Sequence, residues 1–396
     1  MKRIYLLNLL VLGLLALSNC KITNLREAED QIEKKFLDAV QNKKTIKNAS
    51  ILIHSDKLAL HVSKSYGKVN DGKTEVPAIP IQPFHTASIG KMFTSVLILQ
   101  DIEKGKYERT TPIFQILGKN FLSGLFVREG KDYSEEVTIE QLLNHRSGIA
   151  DYFESTGEEK SSQAAVIHEI TKNPNQFWTP NDLVTYTRVN QKAVGKPGEK
   201  FSYSDTGYIL LGLILETIHR KKFEDLLSER IFFPLQMNST YMHLRSKPKL
   251  QNSLALSHMF LGDTEVTQFK SVSADWSGGG LISTTEDLLL FQKALVSGKL
   301  VSSKTYESMK GEYQFMDGIY YGLGLMTVRF GDMLFLMAGT PELHGHSGLL
   351  STLTFYAPAY DAHIIANFGS TEDVSASFEM MFHLMRILKE VNELKR

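Results

Sequence analysis

A serine three residues ahead of a lysine can act as a nucleophile when the pair sits on a helix, because side chains three apart share a face and the amine reaches the hydroxyl. Beyond the first twenty residues this spacing occurs at Ser65 with Lys68, Ser88 with Lys91 and Ser246 with Lys249. Ser65 lies in a run that reads as strand and turn, and on a strand an offset of three sends the two side chains to opposite faces. Ser246 sits in Arg245-Ser246-Lys247-Pro248-Lys249, a charged stretch with a Pro that reads as solvated loop. Ser88 instead opens the apolar run Lys91 to Leu99, relieved only by Thr94 and Ser95 and stopping near Gly105, which is the pattern of a buried helix. A Lys at the head of such a helix loses solvation, which favours the neutral amine that can serve Ser88 as a base, and the helix N-terminus offers backbone N–H groups to an oxyanion. The tetrapeptide alone fits a capping Ser and a snorkelling Lys equally well.

Other reactive patterns are weaker. His344 and His346 alternate as strand neighbours on one face do, but no Asp, Glu or His at recognisable ligand spacing joins them, so neutral sheet-edge histidines are expected and no metal. Gly345-His346-Ser347-Gly348-Leu349 approaches Gly-x-Ser-x-Gly and lacks the final Gly, so Ser347 is not read as a nucleophile. The single Cys excludes an intrachain disulfide and a thiolate metal site. Lys plus Arg (44) equal Asp plus Glu (44), leaving no basic excess for a phosphate backbone, and no nucleic-acid partner is expected.

These residues need a scaffold, and 396 residues with 42% hydrophobic side chains can bury a large core. Leu25, Ala28, Ile32, Phe36, Leu37 and Val40 predict an amphipathic helix. Residues 49–54 and 58–63 predict a hairpin about Ser55-Asp56-Lys57, and 68–80 a polar loop. From Ser88 to about Leu300 the pattern is mainly helical, with capping boxes expected at Thr138 with Gln141 and at Ser283 with Glu286, and Pro180 opening a helix after Thr179. Short strands are predicted at 321–330, 333–337, 351–357 and 362–368, then a helix over 375–394. The expected fold is α+β: one antiparallel sheet built from both chain ends and flanked by the terminal helices, with a mainly helical lobe inserted. The sheet lobe is expected over about 25–87 plus 301–396, and the helical lobe over about 88–300.

Four further runs follow Ser88 in order. They are Lys200-Phe201-Ser202-Tyr203-Ser204-Asp205 ahead of an apolar helix over 209–218, Gly278-Gly279-Gly280, Tyr321-Gly322-Leu323-Gly324, and His344-Gly345-His346-Ser347-Gly348. With Gln141 to Ile149, this set resembles the penicillin-recognising serine hydrolases, the branch of class C β-lactamases, D-alanyl-D-alanine carboxypeptidases, D-aminopeptidases and related esterases. The resemblance spans about 84–367. It implies that Ser88 is the nucleophile, Lys91 its partner, and Tyr203 the acid/base serving the leaving group. It also implies that His346-Ser347-Gly348 is the third motif on the strand edging the site, and that the backbone N–H groups of Ser88 and Leu349 form the oxyanion hole. Asp205 stands where the family usually has Asn, and His145 reads as structural. No cofactor is implied. The expected reaction is acyl transfer to Ser88, then hydrolysis of an ester, amide or peptide. His346 in place of a cationic Lys moves weight away from substrates with an obligatory carboxylate. The alternative is a catalytically silent surface lipoprotein that uses the fold as a binding module.

Lys2 and Arg3 precede an apolar run from Ile4 to Leu17, interrupted by Asn8, that ends at Leu17-Ser18-Asn19-Cys20. Fourteen helical residues cover about 21 Å, short of a bilayer core of about 30 Å. Residues 1–19 are therefore expected to be a secretory signal. The run resembles a bacterial lipobox with Cys20 as the lipid-bearing N-terminus, although Asn19 replaces the usual small residue; a cleaved signal with a chance Cys is the other reading. An exported, membrane-anchored envelope lipoprotein with a mature domain over 20–396 is the expectation.

Overall fold

The computed structural model describes residues 21–154, 165–250, 254–333 and 335–395, so the signal-like run and Cys20 lie outside the described residues. The first helix, α1 (Leu25–Val40), starts where the Asn24 side chain accepts the Glu27 N–H, and it buries Ala28, Ile32, Phe36 and Val40, each four residues from the next. Strands β1 (Asn48–Ser55), β2 (Leu60–Asn70) and β3 (Glu75–Pro77) follow. The C-terminal third supplies β4 (Tyr313–Met316), β5 (Ile319–Tyr321), β6 (Met326–Val328), β7 (Leu343–Gly348), β8 (Thr352–Ala357) and β9 (Ala362–Asn367). Together they form a nine-stranded antiparallel sheet in the order β4-β5-β6-β7-β8-β9-β1-β2-β3, so the two ends of the chain meet where Leu52 pairs with Ile365.

The side-chain alternation of the central strands explains why both faces are covered. Ile51, Ile53, Ile364 and Ala366 share a core with α1 and the last helix, α5 (Val374–Leu394). Leu52 and Ile365 point the other way and join the core of the helical lobe. That lobe is organised by α2 (Gly90–Glu103), α3 (Asp205–His219) and α4 (Thr285–Val296), and the Phe93 and Phe291 rings stack at 3.7 Å between centroids to lock α2 to α4. Truncating Phe93 to Ala would cost about 3–5 kcal/mol. The apolar residues of α2 from Met92 to Leu99 are all buried, around its whole circumference, and only Ile102 in the last turn is half-buried.

Local expectations are met unevenly. Thr138 and Gln141 form the expected capping box, and Pro180 opens its helix behind Thr179. At α4 the cap is one residue later than expected: Thr284 accepts from Asp287, while Ser283 ends a short strand and bonds Thr240. Strand β2 runs on to Asn70 and pairs with β3, so 68–80 is partly edge strand rather than loop. Among the described residues of 333–337 none is in a strand; short helical turns at Phe330–Met333 and Phe335–Met337 take its place.

Candidate active site

Ser88 sits in a single 3-10 turn, Ala87–Ile89, that leads into α2. Ala87 carries φ +48°, a left-handed conformation that L-residues rarely adopt, and its N–H donates to His85 Nδ1 at 3.1 Å. Two glycines let neighbouring backbone close around this turn. A Cβ at Gly279 would lie 2.7 Å from the Ala87 carbonyl oxygen, and one at Gly348 would lie 2.8 Å from the Ala87 Cβ. Gly348 is the last residue of β7, so the strand ends against the Ser88 turn, and Thr352 fastens it by donating to the Thr86 carbonyl at 2.9 Å. Leu349, the next residue, lines the same cavity as Ser88.

One turn into α2, Lys91 is fully buried. Its Nζ donates to Ser88 Oγ at 3.1 Å, to the Gly278 carbonyl at 2.7 Å, and to Asp205 Oδ1 in an ion pair. An ammonium has three protons, and these acceptors use all of them. Asp205 is the first residue of α3, and its own N–H donates to Asp151 Oδ1 at 3.0 Å. Burial and the neighbouring Asp205 charge hold the Asp151 carboxyl well above the usual carboxylate range. Tyr203 lines the cavity with Ser88, and its ring lies 5.0 Å from Lys91 Nζ. Burial first and Asp205 second keep its phenol well above the usual value, so it stays protonated. His145 packs on the Tyr203 ring at 4.1 Å and accepts the Ser204 N–H through Nδ1 at 3.1 Å, which fixes the loop that carries Tyr203.

The structure therefore brings Ser88, Lys91, Tyr203, Asp205, Ser347, Gly348 and Leu349 together, while His346 stands one step back. His346 Nδ1 lies 2.6 Å from the Ser347 carbonyl, an obligate acceptor, so Nδ1 carries the proton and Nε2 accepts from the Tyr321 hydroxyl at 3.0 Å. Burial, helped by Lys91, pushes the imidazole down to about 3. Ser65 donates instead to the Ala78 carbonyl and Ser246 accepts the Met242 N–H, which accounts for both structurally.

Two residues near Ser88 carry no motif in the sequence. Asp275 lines the cavity beside Lys91 and Asp205, and burial, then the Asp205 charge, push its carboxyl up to about 7. His85 Nε2 lies 3.8 Å from Asp275 Oδ2, and burial pushes this imidazole down to about 3. The position of Asp275, three residues before Gly278-Gly279-Gly280, was the one available signal.

Ser88 opens into a cavity of about 620 Å³ whose lining includes Tyr203, Ser347 and Leu349. Asp151, Glu154, Asp205, Asp275, Asp317 and Glu379 also line it, and no Lys or Arg does among the described residues.

A helical lobe against a two-ended antiparallel sheet, with a Ser-x-x-Lys pair at their junction, defines the class of β-lactamase and transpeptidase folds. The Beta-lactamase family profile matches residues 39–378, and the chain belongs to that family, the penicillin-recognising serine hydrolases. Among curated proteins it is 26% identical over 248 residues to "Putative penicillin-binding protein PbpX" of Bacillus subtilis, covering 62% of this chain and 54% of that one. It is 28% identical over 262 residues to "Penicillin-binding protein 4*" of the same organism, covering 61% and 51%. The chain thus spans about half the length of these relatives. Among solved structures, the D-stereospecific amidohydrolase from Streptomyces sp. matches with TM-score 0.69 and 21% identity over 90% of this chain and 98% of that one. D-amino acid amidase from Ochrobactrum anthropi SV3, complexed with L-phenylalanine amide, matches with TM-score 0.68 and 20% identity over 91% and 99%. At these identities the two structures establish the shared fold.

Proposed function

We propose that the protein is a serine acyl hydrolase that cleaves an ester or amide through an acyl-enzyme on Ser88. The observation that carries this reading is the contact chain Ser88–Lys91–Asp205, with the Tyr203 ring over Lys91 Nζ, at the floor of an open cavity. Ser88 Oγ gives its proton to Lys91 Nζ and bonds the substrate carbonyl carbon. Asp205, hydrogen-bonded to the same nitrogen, is the carboxylate in contact to exchange a proton with Lys91 so that Nζ can receive the one from Ser88. The oxyanion is received by the N–H groups of Ser88 and Leu349. Tyr203, kept protonated, donates to the leaving group as the carbonyl re-forms, and water then releases the acyl group by the reverse path. A cavity lined by carboxylates and by Ser347, with neutral His346 behind it, supports neutral or cationic substrates over those bearing a carboxylate. The amidase named above, seen with an amino acid amide, supports amides among the substrates.

The decisive experiment is covalent labelling with a fluorescent fluorophosphonate together with hydrolysis of p-nitrophenyl esters and amino acid amides. Ser88→Ala is expected to abolish labelling and to lower turnover by about 10³-fold or more, while Ser65→Ala and Ser246→Ala retain both. Absence of labelling in the wild type would leave the binding-module reading. The signal-like run supports export with a lipid on Cys20, and mass spectrometry of the mature N-terminus tests it: an unmodified terminus beyond Cys20 excludes the anchor.

A further inference from the structure

The cavity continues well past Ser88, and its chemistry changes along the way. Phe315 of β4 stacks on the Tyr203 ring with centroids 5.4 Å apart. Beyond it the wall is made by Ile319 of β5, Met326 of β6, Met333, and Phe378 and Phe382 of α5. Ser347 Oγ donates weakly to Met326 Sδ at 3.6 Å, which joins the start of this arm to the strand end beside Ser88. None of these six side chains carries an N–H or O–H group, so water lying along them has few partners and is readily displaced, while Asp317 and Glu379 of the same lining offer the polar partners. Phe315, Met333, Phe378 and Phe382 are only partly buried, leaving apolar surface open to an occupant. Two and three residues past Met333 in the chain, Phe335 and Leu336 are 84% and 77% exposed, large apolar side chains standing in water.

We propose that this arm binds an extended apolar group of the substrate, an alkyl chain or aryl group, so that the enzyme selects hydrophobic esters or amides. This rests on the hydrolase reading above and adds the substrate class. The fold places the arm between the β4–β6 edge of the sheet and α5, so the terminal helix, remote in sequence from Ser88, takes part in specificity. The group can stand on the acyl or the leaving side of the scissile bond, and the experiment separates the two.

Two p-nitrophenyl-free and p-nitrophenyl ester series are assayed: one lengthens the acyl chain from acetyl upward with a fixed alcohol, the other lengthens the alcohol with a fixed acyl group. In the series that enters the arm, kcat/KM is expected to rise about fourfold per methylene until the arm is full. Met333→Trp should end that rise at a shorter chain, and Phe382→Ala should extend it to a longer one. Labelling by a short-chain fluorophosphonate reports that Ser88 stays reactive, and Phe382→Ala keeps the test decisive if the Trp variant does not fold. Flat profiles in both series, or profiles that neither substitution moves, overturn the proposal. Wild-type turnover with a flat profile rejects only the apolar arm, whereas no turnover and no labelling of wild type rejects the hydrolase reading itself.

Discussion

Ser88 lies between two unlike walls. The helical-lobe wall is ionisable: Lys91, Asp205, Asp151 and Asp275 interact within it, and Lys91 is wholly out of water. The sheet wall next to Ser88 is neutral: Ser347 and Leu349 reach the cavity, and behind them His346 is held uncharged with both ring nitrogens engaged. Proton movement needs ionisable groups in contact, and those stand on the lobe. Substrate alignment along a strand end needs backbone groups and shape, and those stand on the sheet. The division predicts that damage to the lobe wall acts on charge balance and damage to the sheet wall on substrate choice.

The largest effect is expected at the ion pair. Lys91→Met should abolish activity and also lower stability by about 3–5 kcal/mol, because it strands the buried Asp205 charge beside Asp151. The double variant Lys91→Met with Asp205→Asn removes both charges and should recover much of the stability and none of the activity. Urea denaturation of the single and double variants measures this. Equal stability of wild type and Lys91→Met would mean that the lobe wall holds no buried charge pair.

The sheet wall can be sharpened by giving it the charge it lacks. Ser347→Arg places a cation at the cavity surface, and a charge-assisted hydrogen bond to a substrate carboxylate is expected to shift the preference between the p-nitrophenyl monoester of succinate and p-nitrophenyl butyrate by about tenfold toward succinate. Wild type should prefer the butyrate. A wild-type preference for succinate would remove the contrast between the walls.

The two walls also differed in how far the sequence disclosed them. The lobe wall begins at a helix apolar on every side, which only a buried helix tolerates, so Ser88 and Lys91 stood out from Ser65 and Ser246 before any comparison. Tyr203 and Asp205 were found through the resemblance, since a turn-rich loop ahead of a helix carries no catalytic mark of its own. Asp275 and His85 escaped because what makes them unusual is burial next to other charges, a property of the fold. On the sheet side, β7 contains two His and two Gly, and its strand character comes from pairing with β6 and β8 rather than from propensity. The apolar stretch at 333–337 reads as a strand because five residues do not separate periods of 2 and 3.6, and its described residues lie in helical turns. The arm was invisible, for its residues come from β4, β5, β6 and α5.

Acid should act broadly, and most clearly through histidines on the sheet. Burial pushes His85, His346 and His363 down to about 3 and His243, His344 and His383 down to about 4. Three of the six lie on β7 and β9. In the unfolded chain they titrate near 6.5, so below that pH the unfolded state binds protons that the native state refuses. Their contribution is complete above about pH 6.5 and is lost as pH falls toward 4. The urea midpoint is expected to drop steeply over that window, and His363→Gln, which keeps a polar group facing Gln292, should make the drop shallower. A midpoint constant from pH 7 to pH 5 would show that these rings are not kept neutral by burial.

The smallest expected effect comes from one residue of the lobe wall, and it has the opposite sign. Asp275 is pushed up to about 7, first by burial and then by the Asp205 charge, with Lys91 working against both. An unfolded Asp ionises near 3.9, so between about pH 4 and pH 7 the native state keeps a proton that the unfolded state has released. Stability from this group is therefore full at low pH, falls as pH rises through that window, and levels off above about 7. The side chain is 22% exposed, so water blunts the effect, and a single group acts against six histidines in the same window. The Asp275 signal is best read as a difference. Asp275→Asn cannot ionise, so its stability relative to wild type should rise from pH 4 to pH 7 and stay constant above, as measured by paired urea midpoints at each pH. A difference that does not change over that range would mean that the Asp275 carboxylate is as well accommodated at the lobe wall as in water, and the wall would then carry one more full charge near Lys91 than the structure implies.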